Sequence, residues 1–311
     1  MEFSYDEYIR QTAKKKSLWD DPDEKYKDQF VPDLLYKYWS FSSEYIEENL
    51  QKICNNEIWM PNARYLNDPY EFQMITDNLR ENERLEYRED ILGRNSILSL
   101  SASYDNNLLW SHYAYGHSGL CIEFKIRKKT FIFPITYINK QIDGTEDIRK
   151  WLQMKDKLVR KNHAEWSADE WVVMRKFARI VYYKYIDWKY ENEYRITARN
   201  IMLSTQNKEW NAENGFWLNL GHYCDVFVSQ IILGFNCSMQ NKAKVIEVVN
   251  KHNHSILMKE MVKRNFRDSV ETCIDYICRT GEFLTITKMS RIGNTLELKR
   301  EELKKEGYLY L

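Results

Sequence analysis

Glycine and proline are scarce in this 311-residue chain, at 10 and 5 residues. Their scarcity argues against disorder and against a turn-rich sandwich. No apolar run approaches the roughly 18 residues that cross a bilayer, so no membrane span is expected. The opening residues, MEFSYDEYIRQTAKKK, hold no apolar signal core. An excess of charge is missing as well. Lys+Arg and Asp+Glu both number 46, which removes any global pull toward nucleic acid or anionic membrane, although a local basic groove stays open. The 6 cysteines (Cys54, Cys121, Cys224, Cys237, Cys273 and Cys278) include no CxxC pair. They read as reduced, unbridged thiols of a cytoplasmic protein. The motifs GxxxxGK[ST], GxGxxG, HExxH and GxSxG do not occur, so the sequence carries no P-loop, dinucleotide fingerprint, zincin helix or nucleophile elbow. No metal is expected. His112 and His117 would point about 140° apart on a helix, and the HNH at 252–254 reads more readily as a turn surface than as a ligand pair.

Aromatic residues are abundant: 22 Tyr, 13 Phe and 10 Trp. They are densest in LLWSHYAYGHSGLCIEF, residues 108–124. There a short helix capped by Asn106 or Asn107 and stopped by Gly116 is expected to pack Leu108, Leu109 and Ala114 inward. Its polar members Ser111, His112 and Tyr113 would then border a cleft or bond to backbone in a core corner. His117 reads as a turn residue. The following segment alternates, with Leu120, Ile122, Phe124 and Ile126 on one face and Cys121, Glu123 and Lys125 on the other. Further strands are expected near 33–41, 58–60, 96–104, 131–138, 180–186, 190–198, 225–234 and 255–261. Helices are expected at 42–57, 146–164, 168–179 and 241–252. Residues 1–30 read as an N-terminal extension on the surface, 31–260 as one α+β domain, and 261–311 as a C-terminal extension packing on it. Strands cluster and helices intervene irregularly, so the expected fold is a single α+β domain with a split or mixed β-sheet core around a cleft and flanking helices. In YLNDPYEF, the pattern of Asp68, Pro69 and Glu71 predicts a capped helix start.

The sharpest chemical feature is YENEYRITA at 190–198. In a continuous strand, Glu191 and Glu193 share one face roughly 6.5–7 Å apart. Like charges that close raise each other's pKa unless a cation intervenes. Arg195, next on that face, supplies one. At least one of the two carboxylates is therefore expected to be buried, with Arg195 or Lys37 in hydrogen-bond reach. A solvated strand face with an ordinary ion pair is the plainer reading. The flanking Trp188 and Tyr190 suggest a walled cleft.

The segments LLYKYWSF, IWMPNARYLNDPYEF, SLSASYDNNLLWSHYAYGHSGLCIEF and WKYENEYRI occur in this order. Together they resemble the DUF2971 family over roughly 34–235. More weakly, the pattern is similar to the ADP-ribosyltransferase fold, in which an early strand holds the nicotinamide ribose through His or Arg and a late Glu stabilises the ribosyl cation. The resemblance implies that Lys37, flanked by Tyr36 and Tyr38, takes the His/Arg place, Ser99 and Ser101 the serine place, and Glu191 and Glu193 the E-x-E place. Arg195, Ser111, His112 and Tyr113 would line the same NAD site. Lysine departs from the pattern, since it is a point cation without arginine's fork. It implies phosphate binding or an altered site.

The expected function is then NAD-dependent ADP-ribosyl transfer, or NAD hydrolysis, by an effector of toxin or anti-phage type. Glu193 would be the catalytic carboxylate, and the acceptor would be a protein or a nucleic acid. The alternative is a non-catalytic module that binds a nucleotide, a nucleic acid or a partner or regulatory protein in the same cleft. A metal-independent hydrolase using the Glu pair is a third reading.

Overall fold

The alternation of residues 120–126 is realised as a strand. In the computed structural model, Leu120, Ile122, Phe124 and Ile126 are all buried on one face of Leu120–Ile126. The structure describes residues 2–14, 25–41, 45–68, 71–72, 77–162, 165–199, 214–252, 256–261, 273–279 and 282–284; for the last three ranges it describes the backbone. They form two compact units, each assembled from three separate stretches of chain.

The unit containing residues 33–58, 101–127 and 219–311 is built on six strands. Their order is Glu282–Leu284, Cys273–Arg279, Leu257–Met261, Val226–Leu233, Leu120–Ile126 and Leu34–Trp39. Neighbours run antiparallel, except that Val226–Leu233 and Leu257–Met261 are parallel. That parallel pair is joined by the helix Met239–His252, the connection such a pair requires. This helix packs against Ile46–Cys54, and together they bury Leu50, Ile53, Cys54, Val245 and Val249.

The aromatic-rich stretch belongs to this unit. Asn106 caps Asn107–Tyr113 by accepting from the Leu108 and Leu109 N–H groups, as expected. The inward side differs from expectation, because Leu108 is 48% exposed while Trp110 is 1% exposed. Trp110 wins the core position because its indole N–H reaches the Tyr104 carbonyl at 2.7 Å, which removes the cost of burying that donor. Tyr38 meets it edge-on and the His117 ring lies parallel to it. Past the helix, Tyr115, Gly116 and His117 have φ of 48°, 61° and 67°, so His117 is indeed a turn residue.

The unit containing residues 1–32, 59–100 and 128–218 places Asn95–Ser101, Glu193–Arg199 and Ile132–Pro134 side by side in that order, apart from Ser101. A two-stranded parallel pair, Thr136–Ile138 with Tyr183–Tyr185, lies beside them in the chain path. The helices Thr145–Val159 and Ala168–Ala178 pack together. Ser167 and Glu170 form a reciprocal capping box at the start of the second. Much of the aromatic excess is spent here. Tyr5 stacks on Tyr182, Phe133 packs on Tyr182, Trp151 stacks on Phe177, and Trp166 meets Trp171.

Residues 1–30 are therefore not a surface extension throughout: one side of their described part is buried. Phe3, Tyr5, Tyr8 and Ile9 are members of this core. The helix Tyr5–Gln11 is too short to be stable alone, and burial of its aromatic face holds it. Residues Pro69, His254 and most of 261–311 lie outside the described residues. The mixed α+β class is borne out. Cys54, Cys121, Cys224 and Cys237 are buried and unbridged. Among the described residues no helix is long and apolar enough to cross a membrane.

Candidate functional site

The expected continuous strand through Glu191 and Glu193 does not form. Ile186–Glu191 is a 3-10 turn, Asn192 is left-handed at φ 44°, and the strand begins at Glu193. Asparagine tolerates that backbone better than most residues, so the break falls where the sequence permits it. The two carboxylates still meet, through a lysine rather than through a shared strand face. Lys184, on Tyr183–Tyr185, donates from Nζ to Glu191 Oε2 at 2.6 Å and to Glu193 Oε2 at 2.9 Å. It also ion-pairs with Glu71 Oε1 at 3.3 Å.

Arg195 closes the centre from the other side. Its Nε donates to Glu193 Oε1 at 2.7 Å and its Nη2 to Glu193 Oε2 at 3.1 Å. Nη2 also donates to Glu71 Oε1, and Nη1 donates to the Val181 carbonyl at 2.6 Å. This is the planar fork that arginine offers and lysine does not. Ser99 hydrogen-bonds Glu193, and the Glu193 N–H donates to Tyr137 Oη at 2.8 Å. Trp188 lies over Lys184, and Phe72 over Arg195. The side chains of Arg195, Glu193, Glu71 and Lys184 are 0%, 3%, 4% and 7% exposed.

This arrangement meets the electrostatic expectation that a buried member of the Glu pair has a cation in reach. It also holds one more carboxylate than cations, and the environment treats the carboxylates differently. Burial pushes Glu193 up, but Arg195 and then Lys184 outweigh it and hold the carboxyl down at about 2. Burial raises Glu71, with Glu193 adding to the rise and Arg195 and Lys184 opposing it, and the net direction is upward. Burial lowers Lys184, yet Glu193 and Glu71 more than reverse this and keep it charged. Two carboxyls pushed in opposite directions, Glu193 down and Glu71 up, thus share a single guanidinium.

Residues 109–196 match the family model described as Protein of unknown function (DUF2971). This stretch, less than a third of the chain, is similar to that family. No curated protein and no solved structure matches the chain. The match is shorter than the 34–235 span of the sequence resemblance. It ends at Ile196, so the matched segment includes Lys184, Glu191, Glu193 and Arg195 and leaves out Glu71 and Ser99.

Of the site residues expected from sequence, the structure brings together Glu191, Glu193, Arg195 and Ser99. Lys37, Tyr36, Tyr38, Ser101, Ser111, His112 and Tyr113 belong to the other unit. Lys37 is not the cation of the Glu pair; Lys184 holds that position. Tyr36 and Tyr38 face away from Lys37 by strand alternation, and Tyr38 Oη donates to the Ser103 carbonyl. The Ser101 hydroxyl accepts from the Ser103 N–H in a local turn. Ser111 and His112 are exposed. Glu71 lies in a turn, and the rest of the expected helix start, at 69–70 and 73–76, lies outside the described residues. The Glu71 N–H closes a turn onto the Asp68 carbonyl at 3.1 Å, and the freed side chain enters the centre. Sequence reasoning missed Lys184, although a lone lysine between tyrosines in an otherwise apolar run carries its own signal, since a buried ammonium requires carboxylate partners.

Proposed function

We propose that the Glu71–Glu193–Arg195–Lys184 centre cleaves the nicotinamide–ribose bond of NAD, passing the ADP-ribosyl group to an acceptor or to water, in an ADP-ribosyltransferase-like arrangement. One observation carries the reading: Glu193 and Glu71 bond the same Arg195, yet one is driven down and the other up. Paired carboxylates forced apart in this way divide acid–base labour. In this reading the C1′–N bond breaks with its electron pair leaving on nicotinamide. Ionised Glu193 stabilises the ribosyl cation left behind. Glu71 takes the proton released as the acceptor oxygen attacks C1′. Glu191 orients the acceptor, and Ser99 holds the Glu193 carboxylate in place. Because the centre is so little exposed, NAD reaches it only when the Ile186–Glu191 turn carrying Trp188 lifts. A toxin or anti-phage role rests on analogy with how such chemistry is used.

A second reading has its own support. Every carboxylate of the centre already has a buried cation, as in a structural ion network that fixes the fold of its unit. The chain would then act as a binding module. Incubation with NAD, following nicotinamide release, separates the two. Release that Glu193→Gln abolishes supports the enzyme, and no turnover with any acceptor supports the module.

A further inference from the structure

A second group of polar side chains lies in the six-stranded unit, on the sheet face opposite Lys37. The register sets Tyr36 directly across from Glu123, and Gln230 across from Glu123 on its other side. The strand Val226–Leu233 shifts register between Val228 and Gln230, which makes Ser229 the extra residue of a bulge. Bulges re-aim side chains, and this one turns Ser229 onto Glu123. Ser229 Oγ donates to Glu123 Oε1 at 2.8 Å, and Tyr36 Oη donates to Oε2 at 3.2 Å. Burial, then the Glu123 charge, raises the Tyr36 phenol above its ordinary range, so Tyr36 remains the donor. Glu123 is therefore held by two hydroxyls from neighbouring strands.

A carboxylate offers about four lone-pair positions. The two hydroxyls fill one on each oxygen and leave one on each. Glu123 is partly exposed, and among the described residues no lysine or arginine is ion-paired with it. Lys125, next on the same face, is exposed. The Tyr36 and Tyr104 rings pack at 5.5 Å between centroids beside it. An oriented carboxylate with a free position on each oxygen and aromatic faces alongside matches a planar, charged, two-pronged donor. We infer that Tyr36, Glu123 and Ser229 form a binding site for a guanidinium, the side chain of an arginine presented by a partner polypeptide. An ammonium matches less well, because it meets one oxygen as a point charge.

The test titrates the full chain at low salt with N-acetyl-arginine methylamide and, separately, N-acetyl-lysine methylamide, read by saturation-transfer NMR. The expected result is binding of the arginine probe, with the lysine probe weaker by about threefold or more. Glu123→Gln keeps the shape and removes the charge; it should weaken arginine binding by about tenfold or more. Tyr36→Phe removes one orienting donor and should weaken binding severalfold with an unchanged melting curve. Absence of arginine binding at millimolar concentration, equal affinity for the two probes, or full affinity in Glu123→Gln would each overturn the assignment. The comparison of probes on the wild-type chain and the Tyr36→Phe variant decide the matter even if Glu123→Gln fails to fold. Nicotinamide release plays no part in the outcome.

Discussion

Arg195→Met should be among the most damaging single changes in the chain, with a dependence on pH that identifies the cause. Arg195 is fully buried and donates to two carboxylates and the Val181 carbonyl. Without it, Glu71, Glu191 and Glu193 are left with Lys184 alone. Removing one partner from a buried ion pair costs about 3–5 kcal/mol. The Glu193 carboxyl points the same way: against the rise that burial brings, Arg195 first, then Lys184, hold it down. For a unit of this size the cost predicts a fall in Tm of about 6–20 °C. The sign with pH follows from the direction of the shift. A depressed folded-state pKa gives stability that is complete above the unfolded value near 4.5 and is lost as pH falls toward 2. Wild type therefore sheds this stabilisation on acidification. In the variant, burial without Arg195 raises the Glu193 and Glu71 carboxyls, so protonation relieves the strain of the bare charges. The difference between the proteins should be greatest near neutrality and shrink by more than half by about pH 4. Urea unfolding followed by circular dichroism at both pH values measures it. A cavity left by the shorter side chain would cost the same at each pH. An equal difference at both, or one below about 1 kcal/mol at neutrality, would refute the reasoning.

Glu193→Gln should lower nicotinamide release by a factor on the order of 10²–10³ and also lower Tm, because it removes the charge that Arg195 and Lys184 bond; equal activity in the folded variant would remove Glu193 from the mechanism. Glu191→Gln should slow NAD cleavage less than it slows labelling of an acceptor, and the ratio of released nicotinamide to labelled product measures this. Glu71→Gln keeps an acceptor for Arg195 and removes a like charge, so stability should change by less than about 1 kcal/mol, while the rate of NAD turnover loses its acid limb if Glu71 is the proton acceptor. Tyr8→Ala deletes a ring that is 1% exposed and should cost about 3–5 kcal/mol in thermal unfolding; a loss under 1 kcal/mol would return the N-terminal helix to the surface.

Local pattern determined much of the fold. Period-two alternation marked Leu120–Ile126, and the apolar run of Val226–Leu233 and the helical spacing of Thr145–Val159, Ala168–Ala178 and Met239–His252 were equally legible. Each of these is a segment whose burial follows from its own periodicity. The carboxylates Glu191 and Glu193, the guanidinium of Arg195 and the hydroxyl of Ser99 were also visible as chemistry. Their geometry was not. Alternation in YENEYRITA implied one strand, and the left-handed backbone at Asn192 broke it, because the Ile186–Glu191 turn is held by contacts from elsewhere in the unit. Lys184 and Glu71 are 7 and 124 residues from Glu191 and Arg195 respectively in the contacts they make, and no local rule links residues so far apart in the chain. The Asp68–Glu71 pattern pointed to a helix cap and carried no sign that the Glu71 carboxylate would meet Arg195. The same holds for Trp110, which displaced Leu108 from the core because a carbonyl happened to lie within reach of its indole N–H. Sequence alone determined which groups could ionise and which strongly periodic segments would be buried, and it missed the N-terminal helix. Only the tertiary structure decided which charges face one another, because a buried charge takes its partner from whatever chain the fold brings to it.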